Sequence, residues 1–198
     1  MVGPSFDLVL ASGSPYRRDL LRRLTGDFRI SVPAIDETMQ AGENACALAG
    51  RLAREKALAV AARSPDALVI GSDQAAECNG RLLGKPGTAD AAEAQLAECS
   101  GRTVIFYTAL CLADTRAASP KLHAEADITR VVFRKLSSAE ITRYVEREQP
   151  LDCAGSFKIE GLGVSLFERI EATDPTALIG MPLVALCRLL RAAGYAIP

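Results

Sequence analysis

Apolar positions along this chain follow two periods, and the switches between them mark out the elements. The stretch from Phe6 to Ala11 reads as a buried strand; it stops at the small polar residues Ser12-Gly13-Ser14, and Pro15 opens a helix predicted over 15–25. A strand over 27–32, an acidic loop over 33–42, a long helix over 43–63 and a strand over 67–72 follow, then a short strand and the loop Leu83-Gly84-Lys85-Pro86-Gly87. After a helix at about 88–99, two long β-rich runs, Thr103 to Ala113 and Lys121 to Lys135, are joined by a polar stretch with Pro120 and predict an antiparallel hairpin. Ser137-Ser138-Ala139-Glu140 has the form of a capping box and starts a helix over Ser137 to Glu146. A glycine-rich segment, a short strand and a helix from Pro182 to Ala193 follow. Strands alternating with helices, with one hairpin among them, predict an α/β fold: a mixed twisted sheet flanked by helices, one domain over 1–198 with two lobes.

Composition narrows the classes of function. With 49% hydrophobic and 24% charged residues the chain is an ordinary globular one, without a disordered tail. Its formal net charge of -1 gives no overall attraction to nucleic acid, so the pairs Arg17-Arg18 and Arg22-Arg23 point to a small anion. The absence of a charged leader or a bilayer-length apolar run leads us to expect a cytoplasmic protein with no membrane partner. Six cysteines without a C-x-x-C pair are expected to be reduced core residues. A single histidine, His123, removes zinc clusters built on several histidines.

Five segments carry candidate chemistry. The turn Ser12-Gly13-Ser14 before Pro15 presents hydroxyls and free N–H groups that suit a phosphate, and it equally suits a plain strand-to-helix connection capped by Ser14. In the helix over 43–63, Ala45, Leu48, Ala49, Leu52, Ala59 and Val60 share a face, with Arg51, Arg54 and Glu55 opposite. Lys56 falls on the apolar side, so it must snorkel, pair with an acid or enter a polar cavity. Ala67 to Gln74 reads as an apolar strand ending in Asp73, where open α/β sheets bind ligands and where an aspartate also commonly caps a turn. Asp73 with Asp36 and Glu37 supplies oxygen ligands suited to magnesium or manganese. Gly84-Lys85-Pro86-Gly87 is a tight loop presenting a lysine, and it is not a Walker A loop because proline stands where serine or threonine is required. Asp152 to Gly163 packs three glycines, Lys158 and Glu160 into twelve residues, a composition of ligand-holding loops and of solvated surface loops alike.

Taken together, these segments resemble the Maf family of nucleoside triphosphate pyrophosphatases over essentially the whole chain. The resemblance lies in Leu-Ala-Ser-x-Ser-Pro-x-Arg-Arg at Leu10 to Arg18, the acidic Asp36-Glu37, Lys56, Asp73, Gly84-Lys85-Pro86, Ser100-Gly101-Arg102, and Ala154 to Gly161. It implies two lobes around a nucleotide cleft, a homodimer, and hydrolysis between the α and β phosphates with a divalent cation, Mg²⁺ or Mn²⁺. It makes Asp73 the proton acceptor and Glu37 a further metal ligand, with Lys56 and Lys85 as catalytic cations. Ser12, Ser14, Arg17 and Arg18 then bind substrate.

Three positions separate the family's subgroups and read Tyr16, Gln74 and Glu160 here, where the dTTP and UTP subgroup carries Arg, Thr and Gln. The chain looks like the subgroup acting on 7-methyl-GTP, whose cationic base suits a stacked aromatic, although tyrosine stands where tryptophan is the expectation. Glu160 can accept hydrogen bonds from the guanine edge and repel the carbonyl edge of thymine or uracil. A dTTP/UTP enzyme of the same family and a nucleotide-binding regulator of septum formation are the alternatives. An RNA or methylated-cap module is disfavoured by 5% aromatics and the negative net charge.

Overall fold

A computed structural model describes residues 7–197. The chain forms two compact units. The first takes in the chain up to Gln74, Thr108–Asp127 and the chain from Asp174 onward; the second takes in Ala75–Tyr107 and Ile128–Thr173. The elements are β1 (Asp7–Leu10), α1 (Pro15–Leu21), β2 (Arg29–Ile30), α2 (Ala45–Ala61), β3 (Ala67–Cys78), β4 (Arg81–Leu83), α3 (Ala89–Cys99), β5 (Thr103–Asp114), β6 (Lys121–Phe133), α4 (Ser138–Glu148), β7 (Phe167–Glu171) and α5 (Leu183–Ala192). Strand order in the seven-stranded sheet is β2-β1-β3-β5-β6-β7, with β4 on β3. Parallel pairs (β1 with β2 and β3) and antiparallel pairs (β3 with β4, β6 with β7) make it mixed, as expected.

In the first unit, Leu8, Leu10, Leu68 and Ile70 from the parallel strands meet Leu20 and Leu21 of α1 and Leu183, Leu186 and Leu190 of α5 in one apolar cluster. Helix α1 starts as its sequence predicts: Ser14 is the N-cap, its hydroxyl accepting from Arg17 N–H, and Pro15 is the first helical residue. It ends at Leu21 rather than residue 25, in a turn before Gly26. The strand expected over 27–32 shrinks to Arg29–Ile30: Phe28 packs against the apolar cluster, but Ile30 and Val32 are exposed, so no further apolar side chain of the run is buried by continuing the strand. Phe6, the first residue of the expected β1, lies outside the described residues.

In the second unit, Phe106, Phe133, Phe157 and Phe167 pack edge to face with ring centroids 4.7–5.8 Å apart. The capping box at α4 is present, with Ser137 N–H donating to Glu140 Oε2 at 2.8 Å. The six cysteines are free, but only Cys78, Cys99 and Cys111 are buried; Cys46 is exposed, which corrects the expectation of core thiols throughout. Among the described residues no helix is long and apolar enough to cross a membrane.

Candidate active site

The site in the first unit is built on a close approach of helix to strand. Gly71 of β3 lies against α2 so tightly that a Cβ there would fall 2.2 Å from the Ala53 carbonyl oxygen and 2.6 Å from the Ala57 nitrogen. The face that α2 buries includes Ala53 and Ala57, while Ala59, expected on it, is only half-buried. One helical turn of small residues on a glycine therefore brings the helix close to the strand, and Lys56 is buried within that same turn. Its stem is enclosed and it pairs with acids: Nζ lies 2.6 Å from Asp73 Oδ1 and 2.9 Å from Glu37 Oε1. The Lys56 and Asp73 side chains are 6% and 10% exposed, whereas Glu37, on the loop before α2, is 59% exposed.

Asp73 stands within β3, not beyond its end. The strand expected to stop at residue 72 continues to Cys78, because Ala76, Glu77 and Cys78 pair antiparallel with Leu83, Leu82 and Arg81. Asp73 caps no turn; its carboxylate faces the cations.

Parallel pairing of Leu10 with Ile70 sets the turn after β1 beside the β3 residues that follow. Ser12 is buried and its Oγ accepts from Ser14 N–H at 3.1 Å. From α1, Arg17 reaches inward: Nη2 lies 3.9 Å from Asp73 Oδ1 and Nε donates to the Gly180 carbonyl at 2.9 Å. Ser72 Oγ lies 2.9 Å from the same carbonyl and 2.9 Å from that of Ala109. Burial lowers the pKa of Arg17, against the raising effect of the Asp73 and Glu37 carboxylates. Arg18 is not brought to this group; its Nε bonds its neighbour Asp19 at 3.1 Å. Tyr16 is half-buried in the first turn of α1. Gln74 uses its amide nitrogen on Thr108 Oγ1 (2.9 Å) and on the carbonyls of Ala177 (3.0 Å) and Leu178 (3.2 Å).

Asp73 and Glu37 reach one cation from separate elements, which suits a small hard ion as it suits the ammonium. Asp36 is engaged elsewhere: the Thr38 side chain and then the Thr38 N–H, which donates to Oδ1 at 2.9 Å, lower its pKa. Among the described residues no three His, Cys, Asp or Glu side chains converge. The donor set thus fits an ion that takes two protein carboxylates and completes its shell with phosphate oxygens and water, the habit of Mg²⁺.

In the second unit, Lys85 is exposed on the loop after β4, and Glu160 is exposed on the loop after α4. Gln95 of α3 ties these two loops together: Nε2 donates to the Gly84 carbonyl at 3.2 Å, and Oε1 accepts from Ser156 Oγ at 2.6 Å. Gly87 N–H also donates to the Leu151 carbonyl at 3.0 Å. Lys158, in sequence only one member of a glycine-rich loop, caps α4 by donating to the Glu148 and Gln149 carbonyls.

A family model described as Maf-like protein matches residues 7–193. The chain belongs to the Maf family. A relative from Xanthomonas oryzae pv. oryzae is 56% identical over 191 residues, covering 96% of this chain and 98% of its own length. One from Cupriavidus metallidurans is 54% identical, covering 95% and 94%, and one from Aromatoleum aromaticum 53%, covering 96% and 97%. All three are named 7-methyl-GTP pyrophosphatase. Within this Maf chain, the sequence singles out Lys56, Asp73, Glu37 and Arg17, which the structure brings together, but not Gly71 and Gly180, which act through backbone space and a carbonyl, nor Gln95, whose side-chain amide joins two loops. A glycine in the middle of an apolar strand was the one available signal for Gly71.

Proposed function

We propose that this protein is a metal-dependent nucleoside triphosphate pyrophosphatase that hydrolyses 7-methyl-GTP to 7-methyl-GMP and diphosphate, clearing a modified nucleotide before it can enter nucleic acid. The observation that carries the reading is the buried Lys56 ammonium held between Asp73 and Glu37 with Arg17 alongside. The shared name of relatives at 53–56% identity supports the choice of substrate.

In this reading Asp73 accepts the proton of the water that attacks the α-phosphorus, the α–β anhydride bond breaks, and diphosphate leaves with the bonding pair. Asp73 and Glu37 hold the divalent ion, Mg²⁺ or Mn²⁺, whose chemistry is charge neutralisation and polarisation of the phosphoryl oxygens. Lys56, Lys85 and Arg17 offset the triphosphate charge, with Arg18 joining them on exchanging its Asp19 partner for phosphate, and Ser12 and Ser14 donate hydrogen bonds to it. Tyr16 stacks on the cationic methylated base and Glu160 accepts from its N–H edge. Gln74 contributes by fixing the Ala177–Leu178 backbone, since its amide nitrogen is occupied there. The working compartment is the cytoplasm, with the nucleotide as small-molecule partner and a homodimer as the assembly.

The test is pyrophosphate release by the purified protein with Mg²⁺ or Mn²⁺ across 7-methyl-GTP, GTP, dTTP, UTP and CTP. Metal-dependent release greatest with 7-methyl-GTP is expected. Preference for pyrimidine triphosphates would remove the substrate assignment, and tight binding without release would remove the enzyme.

A further inference from the structure

Glu37 is exposed on a long irregular segment, residues 31–44, that joins β2 to α2 and buries little apolar surface. Nothing in a hydrophobic core sets the conformation of such a segment, so its polar bonds must do so. Apart from Ser31 N–H on the Leu10 carbonyl and local bonds such as that of Thr38 N–H to Asp36, those bonds run to α2 and the residues just after it. At one end, Arg63 beyond the helix donates to Ser31 Oγ and to the Val32 carbonyl, both at 2.9 Å. At the other, Arg51 grips Glu43 with two nitrogens, at 2.7 and 2.9 Å, and donates at 3.0 Å to the carbonyl of Thr38, the residue after Glu37. Glu43 Oε2 in turn accepts from Gln40 N–H at 3.0 Å, which closes a ring of bonds over Thr38 to Glu43. The clasp is more enclosed than the residue it serves: side-chain exposure is 17% for Arg51 and 8% for Glu43, against 59% for Glu37. Arg51 also meets Glu55 one turn along α2 at 3.1 Å, so its fork is oriented from both sides.

We propose that Arg51 is a positioning residue that aims the Glu37 carboxylate at the Asp73 cluster through Thr38 and Glu43, an assignment that rests on the metal-holding role given to Glu37 above. The chemistry calls for arginine. One planar guanidinium bonds a carboxylate with two nitrogens and a backbone carbonyl with one of them, whereas an ammonium on a flexible stem has no fixed fork. Residues behind a metal ligand that orient it typically change metal affinity or activity by about 10- to 100-fold when removed.

The experiment titrates Mn²⁺ into the full chain carrying α,β-methylene-GTP and reads free Mn²⁺ by electron paramagnetic resonance, with steady-state kinetics alongside. Arg51→Gln and Arg51→Lys are expected to weaken Mn²⁺ binding about 10-fold or more. Saturating Mn²⁺ should restore most of kcat, and Arg51→Gln should add no further loss to Glu37→Gln. Glu43→Gln, the milder variant if Arg51 variants fold poorly, should shift Mn²⁺ affinity in the same direction. Wild-type Mn²⁺ affinity in folded Arg51→Gln, or an equal further loss in the Glu37→Gln background, overturns the positioning role while leaving Glu37 in place. Unchanged affinity in Glu37→Gln itself overturns both, and the fault then lies in the assignment of Glu37.

Discussion

Gly71 and Ala53 touch through backbone alone: the space a Cβ on Gly71 would need is already filled by the Ala53 carbonyl oxygen, 2.2 Å away. Everything downstream of that contact, including the 2.6 Å pair between Lys56 and Asp73, depends on how close α2 lies to β3.

Gly71→Ala should therefore push helix and strand apart. Overpacking of this kind costs about 1–3 kcal/mol, and at this chain length each kcal/mol lowers Tm by about 2–4 °C. Activity should fall more than stability, because the displaced atoms carry Lys56. Thermal melts and kcat/KM on one preparation check it; a variant with wild-type Tm and rate would show that the helix yields freely.

Lys56 and Asp73 should prove strongly coupled. Removing one partner of a buried ion pair costs about 3–5 kcal/mol by leaving the other charge uncompensated. Lys56→Met should accordingly destabilise the chain more in the Asp73 background than beside Asp73→Asn. A double-mutant cycle by denaturant titration should give a coupling of about 0.5–3 kcal/mol, and zero coupling would contradict the geometry. Asp73→Asn alone should lower turnover by about 100- to 10,000-fold while nucleotide binding stays within a few-fold.

Glu160→Gln should change the choice of base rather than the rate of the step. The amide replaces one acceptor oxygen with a donor, so the ratio of kcat/KM for 7-methyl-GTP over UTP should fall. An unchanged ratio in a folded variant would take Glu160 out of base reading.

Acid should undo the α4 cap in a defined window. The Ser137 N–H and hydroxyl, with Arg134, hold the Glu140 carboxyl at about 2, below its ordinary value of 4.5. A carboxylate depressed in the folded state stabilises it fully above the ordinary value and loses that contribution as pH falls through the folded one. The Tm difference between wild type and Glu140→Gln should be greatest above about pH 5 and close toward about pH 2. A difference that does not vary with pH would mean the cap contributes no charge-dependent stability.

Periodicity and caps made most elements legible, since Ser14, Pro15, Ser137 and Glu140 act within one turn of themselves. Lys56 was legible as an anomaly on an apolar face, but its partners were not, because Asp73 and Glu37 meet it only through folding. The end of β3 was misjudged for a similar reason: Ala75 to Cys78 carry no strong strand signal and are held by pairing with β4. The Gly84 and Ser156 loops looked like separate motifs, and Gln95, which joins them, has no motif at all.

The first unit draws its apolar cluster from β1 and β3 at one end of the sequence and from Met181 to Tyr195 at the other. On the ribosome, β1 and β3 are exposed long before their cover is made. At about 5–20 residues per second, roughly 6–25 s separate Ile70 from Tyr195. Throughout that interval the nascent chain shows Leu8, Leu10, Leu68 and Ile70 without the α5 side chains that shield them. The unit that holds Asp73 is thus completed only once α5 has been made.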